Sequence, residues 1–216
     1  MNGPRRVRPE ILDTLPGDSP DARASRRDLR LINWTLGTRS WFETKLRPRY
    51  RAREHALEVG AGTGELGRAL HSFIPDLAGL DLCNRPGDWP ETARWFQTDI
   101  LGFPDLARFP LVFGSLFSHH FDTAQLEQIG TKLGRHARVI VANEPLRARR
   151  IARGFSLLCP LIRAHPVTRH DGRISIAAGF ERDELPLLLR LDPSSWKWQV
   201  RETWLGAYRM VAEKQP

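Results

Sequence analysis

Three glycines set two residues apart, with carboxylates following at fixed distances, carry the clearest chemistry in this chain. In Leu57-Glu58-Val59-Gly60-Ala61-Gly62-Thr63-Gly64-Glu65-Leu66 an apolar run gives way to the glycines, and a helical pattern begins at once. A strand that turns sharply into a helix while leaving its backbone bare needs glycine, which alone tolerates both the unusual dihedrals and the close approach of a ligand. Such a loop grips a nucleotide-like cofactor, and two cofactor classes compete for it. Gly62, Gly64 and Gly67 satisfy the G-x-G-x-x-G spacing of a dinucleotide site, with Asp81 about where its ribose-binding acid should fall. Glu58 and Gly60 extend the pattern to E-x-G-x-G-x-G, and Asp99 supplies a second acid further along. An ionised carboxylate only accepts hydrogen bonds, which suits hydroxyl and amino partners. The plainer alternative is a tight turn whose aspartates cap helices. Further along, His119 and His120 could remove a proton from an acceptor hydroxyl, because imidazole titrates near neutral pH.

From about Arg27 to the end, E-x-G-x-G-x-G together with Asp81 and Asp99 makes the sequence resemble class I S-adenosylmethionine-dependent methyltransferases. That cofactor has no pyrophosphate, so an acidic Glu58 beside the loop is tolerable. The resemblance implies S-adenosylmethionine as cofactor and S-adenosylhomocysteine as product, with Glu58, Gly60, Gly62, Gly64, Asp81, Leu82, Asp99, Ile100 and Leu116 as the binding residues. The backbone around Gly60 and Gly62 would hold the methionine portion, Asp81 the ribose hydroxyls and Asp99 the adenine amino group. Arg39 is a candidate partner for the cofactor carboxylate.

The segments Arg27 to Asn33, Leu116 to Phe121 and Thr168 to Gly172 narrow the resemblance to a bacterial subgroup of small-molecule methyltransferases of the quinone and polyketide type. Methyl transfer to an oxygen of such an acceptor, by in-line displacement, is the activity this implies. His120 is expected to face the acceptor pocket, and His119 to pack beneath the cofactor. Arg169 and His170 are candidates to touch the acceptor. Relatives begin the fourth strand with an acid after Phe, whereas Phe109-Pro110-Leu111 stands here. A base is not obligatory: it contributes roughly 10² to 10⁴ in rate, while alignment contributes about 7–11 kcal/mol. The strand ends in Phe117-Ser118-His119 and lacks the Pro-Pro-aromatic motifs with which many base-modifying enzymes grip a flipped base, so nucleic acid is a poorer substrate reading. A cofactor-binding protein without activity is the non-enzymatic alternative.

The elements that must position these groups follow from periodicity. Helices are expected from about Pro20, with Asp21 as a cap, and over 41–46. Strands are expected at 55–59, 77–82, 95–98, 111–117 and 137–142, with helices at 65–73 and 123–133 between them. Strands alternating with helices predict an α/β fold: a Rossmann-like, doubly wound, mostly parallel sheet. Alternation at 196–203 and 207–212 around Gly206 predicts a C-terminal antiparallel hairpin. Residues 1–20, with Pro4, Pro9, Pro16 and Pro20, are expected to be mobile or loosely docked. Residues 21–216 would form the methyltransferase domain, with a helical cap insertion at about 145–180.

At 216 residues, 41% hydrophobic and 27% charged, the composition suits one soluble domain, without a run long enough to cross a bilayer or a secretory signal. The cytoplasm is the default expectation. Cys83 and Cys159 stand alone and are expected to be buried, so neither a disulfide nor a metal site is predicted. A net charge of +8 suggests an anionic substrate, carrier or membrane surface as partner. The segment 145–180 sets Phe155, Leu157, Leu158, Leu161 and Ile162 among arginines, which fits either a lid over an apolar anionic acceptor, a membrane-surface helix or an ordinary surface helix.

Overall fold

Short β-branched and leucine-rich runs bounded by glycine, proline and aspartate form the strands, and a computed structural model describes residues 3–215. The strands are β1 (Ala56–Val59), β2 (Leu77–Asp81), β3 (Arg94–Gln97), β4 (Leu111–Ser115), β5 (Val139–Pro145), β6 (Trp196–Glu202) and β7 (Ala207–Lys214). They join in one sheet of order β3-β2-β1-β4-β5-β7-β6. The first five run parallel, and β7 lies antiparallel between β5 and β6. The predicted doubly wound sheet and terminal hairpin are both present. Because β7 is an interior strand it is buried on both faces, so its expected alternation is lost, while the edge strand β6 keeps it.

Helices cover the two faces: α1 (Pro20–Thr35), α2 (Thr38–Leu46), α3 (Glu65–Leu70), α4 (Thr123–His136), α5 (Arg149–Leu161), α6 (Pro166–Ala178) and α7 (Glu184–Leu188). Leu57, Val59, Leu80, Val112 and Ile140 meet Leu126, Ile129 and Leu133 of α4 on one face. Phe42, Leu46 and Leu70 meet Leu77, Phe113 and Val141 on the other. Each such fully buried side chain contributes about 1.5–3 kcal/mol. Helix α4 begins with a reciprocal capping box of Asp122 and Gln125. Helix α1 is capped by Ser19, whose side chain accepts from the Ala22 N–H, with Pro20 at the first position; Asp21 lies two residues past the cap, inside the first turn.

Residues 3–15 are not loosely docked, contrary to the sequence-based expectation. The Arg5 guanidinium donates to the carbonyls of Ser118, His119 and Ala178. Asp171 of α6 accepts the N–H groups of Ile11 and Leu12, each at 2.9 Å, and so caps a 3₁₀ turn at Leu12–Thr14. Arg147 donates to the carbonyls of Gly3 and Gly179 and pairs with Glu181 and Glu184. Proline-rich composition withholds helix and sheet from this segment, but side chains elsewhere satisfy its backbone. We call it the strap; residues 1 and 2 lie outside the described residues.

Helices α5 and α6 occupy the stretch expected to form an insertion after β5. Asp28 of α1 ties them down by accepting the His165 N–H at 2.7 Å and the Thr168 hydroxyl at 3.0 Å. Cys159 is buried as expected, but Cys83 is exposed, because it follows β2 at the open edge of the sheet. Among the described residues no helix is long and apolar enough to cross a membrane.

Candidate active site

Strand β1 is flanked by β2 on one side and β4 on the other, so the direction of winding reverses beside it and a crevice opens at the carboxyl ends of β1 and β4, the position where open α/β sheets bind ligands. The glycine loop leaves β1 there. Gly60, Gly62 and Gly64 all adopt positive φ, at 65°, 53° and 71°, which favours glycine at each. Their surroundings differ. A side chain at Gly60 would run into the Phe117 ring, and one at Gly64 into Trp89, whereas a Cβ on Gly62 would meet nothing within 4 Å. Gly62 is therefore the bare backbone facing the crevice.

Asp81, at the tip of β2, accepts the Gly62 N–H through Oδ2 at 2.7 Å and the Cys83 N–H through Oδ1 at 2.9 Å. It fixes the loop while keeping further lone pairs for a ligand. Asp99 is exposed after β3, and its Oδ1 accepts the Leu101 N–H at 2.9 Å. Leu82 is exposed at the rim. Ile100, next to Asp99, is turned into the hydrophobic core, so its side chain is not presented to the crevice. Glu58 also points away: it is buried beneath α3, where Gly67 has no room for a side chain because Glu58 Oε2 and the Trp89 ring fill the space. Burial pushes the Glu58 carboxyl up to about 8, eased only in part by the Gly67 backbone amide, and its Oε2 has no hydrogen-bond partner. Glu58 thus supports the loop from behind. Arg39 is on an exposed helix face, where it pairs with Glu43 at 2.8 Å.

The turn after β4 is built around a residue that sequence reasoning missed. Leu116 takes a left-handed φ of 56°, and its N–H is held by the Asn143 carbonyl at 2.8 Å. Glu144, buried at the end of β5, accepts the N–H groups of Phe117 and Ser118 at 3.1 and 2.7 Å with Oε1. Its Oε2 faces His119 Nδ1 at 2.8 Å. Glu10 of the strap faces the other ring nitrogen, Nε2, at 3.3 Å. Burial disfavours charge on the His119 ring, but bonds to Glu10 and Glu144 outweigh it and raise its pKa to about 9. Burial would likewise raise both carboxyls, yet His119 holds each below the ordinary range. A buried imidazole engaged by carboxylates at both nitrogens has the geometry of a structural ion pair, with neither nitrogen left to take an acceptor proton. The signal available in the sequence was an acid at the end of the otherwise apolar strand Val139–Pro145.

His120 differs. Its side chain is 30% exposed, and its Nδ1 lies 3.4 Å from Asp13 Oδ2 of the strap. Burial near Glu10 and Asp171 pushes the Asp13 carboxyl up, against the pull of His120. His170 is half exposed and paired through Nδ1 with Asp171 at 2.8 Å. Arg169 is turned to the Ala164 carbonyl at 2.7 Å, within the α5–α6 connection. The structure therefore gathers His120, Asp13 and His170 near the strap, and directs Arg169 elsewhere. Glu10, His119 and His120 also offer ligand atoms within 4.8 Å of one another; with both nitrogens of His119 already facing carboxylates, they form an ion-paired cluster.

No family model matches the chain, and no curated protein matches it. Solved structures do. Over 95% of this chain and 93% of that one, it superposes on the plantazolicin methyltransferase BpumL in complex with a triazolic desmethylPZN analog and SAH, with a TM-score of 0.71 and 12% identity. Human N-acetylserotonin methyltransferase in complex with SAM gives a TM-score of 0.54 at 13% identity, over 94% of this chain and 61% of that one. The N-methyltransferase NodS from Bradyrhizobium japonicum WM9, in complex with S-adenosyl-L-homocysteine, gives 0.51 at 15%, over 92% and 89%. The fold is that of class I methyltransferases. Within this methyltransferase fold, the crevice at Gly62, Asp81 and the β4 turn is the candidate active site.

Proposed function

We propose that the protein transfers the methyl group of S-adenosylmethionine to a small-molecule acceptor, an oxygen of an aromatic, quinol or polyketide-like compound. The observation that carries this reading is the pairing of Gly62 with Asp81: a bare backbone over open space, locked by a carboxylate with acceptor capacity to spare, on the methyltransferase fold. A dinucleotide would bring a pyrophosphate to this loop. The acids Asp81 at the loop and Asp99 beyond β3 favour the sulfonium cofactor over a dianion.

S-adenosylmethionine supplies an electrophilic methyl group on a sulfonium. The backbone at Gly60 to Gly62 would hold its amino-acid portion, Asp81 would accept hydrogen bonds from the ribose hydroxyls and Asp99 from the adenine amino group. His120, its Nδ1 turned to Asp13, keeps Nε2 for the acceptor proton. In the displacement the acceptor oxygen would take the methyl carbon as the carbon–sulfur bond breaks, its electron pair staying on sulfur, and His120 would take the acceptor proton. Alignment and exclusion of water supply most of the acceleration, about 7–11 kcal/mol where geometry is near ideal.

Calorimetric titration with S-adenosylhomocysteine, S-adenosylmethionine and NAD(H) tests the cofactor assignment. Micromolar binding of the adenosyl compounds supports it. A hydrogen bond to a charged group is worth about 1.5–3 kcal/mol, so Asp81→Ala should weaken that binding by about 10- to 10²-fold. Binding of NAD(H) alone would overturn the reading.

A further inference from the structure

Several large apolar side chains stand exposed along α5. Along α5, Arg150, Arg153, Leu157 and Leu161 share one outward stripe, opposite Ile151, Phe155 and Cys159, which face inward. Leu157 is 74% exposed, Leu161 80%, and their neighbours Leu158 and Ile162 52% and 42%. Arg150 Nη1 bonds the Trp204 carbonyl at 2.9 Å, which brings the β6–β7 turn alongside, with Trp204 79% and Leu205 49% exposed. Six large apolar side chains left in water on two adjoining elements form the kind of patch that soluble proteins keep for a partner.

Charge identifies the partner. From Pro145 through His170 the chain has six arginines and no aspartate or glutamate. Nearby acids are already engaged: Glu181 and Glu184 by Arg147, Asp28 by His165 and Thr168, and Glu202, beside the turn, by the Arg182 N–H. A second copy docking face to face would set Arg153 and Arg163 against their own copies, with no acid of α5 to answer them. A surface that offers hydrocarbon to the leucines and Trp204, and phosphate to Arg153 and Arg163, answers both needs. We infer that α5 and the Trp204–Leu205 turn form a docking face for an anionic lipid bilayer, lying in the headgroup layer without spanning it. The inference is independent of methyl transfer, since lipid binding needs neither cofactor nor acceptor.

Co-sedimentation of the full chain with vesicles tests it. The protein should bind vesicles of equimolar phosphatidylcholine and phosphatidylglycerol and pass over phosphatidylcholine alone, and binding should weaken at about 1 M salt, where the screening length shrinks to about 3 Å. Leu157→Glu with Leu161→Glu should cut the bound fraction at least about tenfold, with melting temperature and S-adenosylhomocysteine binding unchanged. Arg153→Glu with Arg163→Glu should abolish the preference for the anionic vesicles. Failure to bind anionic vesicles, or leucine variants that bind like the parent, would overturn the inference. So would a dimer that the leucine variants dissociate in the absence of lipid binding.

Discussion

Glu10 Oε1 and His119 Nε2 face each other across 3.3 Å although 109 residues separate them in the chain. With Glu144 on the opposite ring nitrogen, this makes His119 the pin between the strap, the β4 turn and the end of β5. The turn that carries His120 is therefore held by charge as well as by packing.

Removing one member of a buried ion pair leaves an uncompensated charge, which costs about 3–5 kcal/mol. Glu144→Ala should lower stability by about that amount in urea denaturation, and more than any substitution on the exposed face of α4. Glu10→Gln keeps the shape and loses only the charge at the strap. Trypsin should then cut faster at Arg5, Arg6 and Arg8 while the core stays folded; an unchanged cleavage rate would mean that Glu10 does not latch the strap.

Glu58 sets a pH dependence of predictable sign. Its folded pKa is about 8 against an ordinary value of 4.5, so the folded state keeps a proton that the unfolded chain releases. Stability from this group is full below about pH 4.5 and is lost as pH rises through 8. Glu58→Gln should flatten the melting temperature between those limits and make the protein the more stable of the two above pH 8. Parallel pH profiles for parent and variant would discount the buried acid as the cause.

Gly62 and Gly67 should fail in different ways. Alanine at Gly62 has space but a left-handed φ of 53°, a strain of about 1–2 kcal/mol, and its methyl projects into the crevice; S-adenosylhomocysteine binding should fall out of proportion to stability. Alanine at Gly67 meets Glu58 and Trp89, an overpacking worth about 1–3 kcal/mol, so stability should fall and calorimetric affinity of the folded fraction should change little.

On the proposed methyl transfer to a phenol or quinol, with His120 as base, His120→Gln should reduce kcat by roughly 10² to 10⁴, and Asp13→Asn by less. His119→Gln should act on stability instead. A His120→Gln enzyme with parental kcat would leave alignment as the whole of the catalysis.

Local spacing made the core of this fold legible. Apolar runs such as Val139 to Ala142 and the glycines after Val59 constrain only their near neighbours, and a parallel sheet with a bare loop after its first strand follows from those constraints. The same spacing singled out Gly62, Asp81 and His120. It did not show that the side chains of Glu58 and Ile100 are buried or that Arg169 is bonded to the Ala164 carbonyl, because a residue's position in a motif does not say which way its side chain is turned. Nor did composition reveal that a proline-rich first segment is pinned by Asp171 and His119. What the sequence by itself determined is the order of elements and the residues at the carboxyl edge of the sheet. Only the tertiary structure decided which histidine is locked between Glu10 and Glu144 and which stands partly exposed beside Asp13, since burial and charge at an imidazole depend on groups brought from remote parts of the chain.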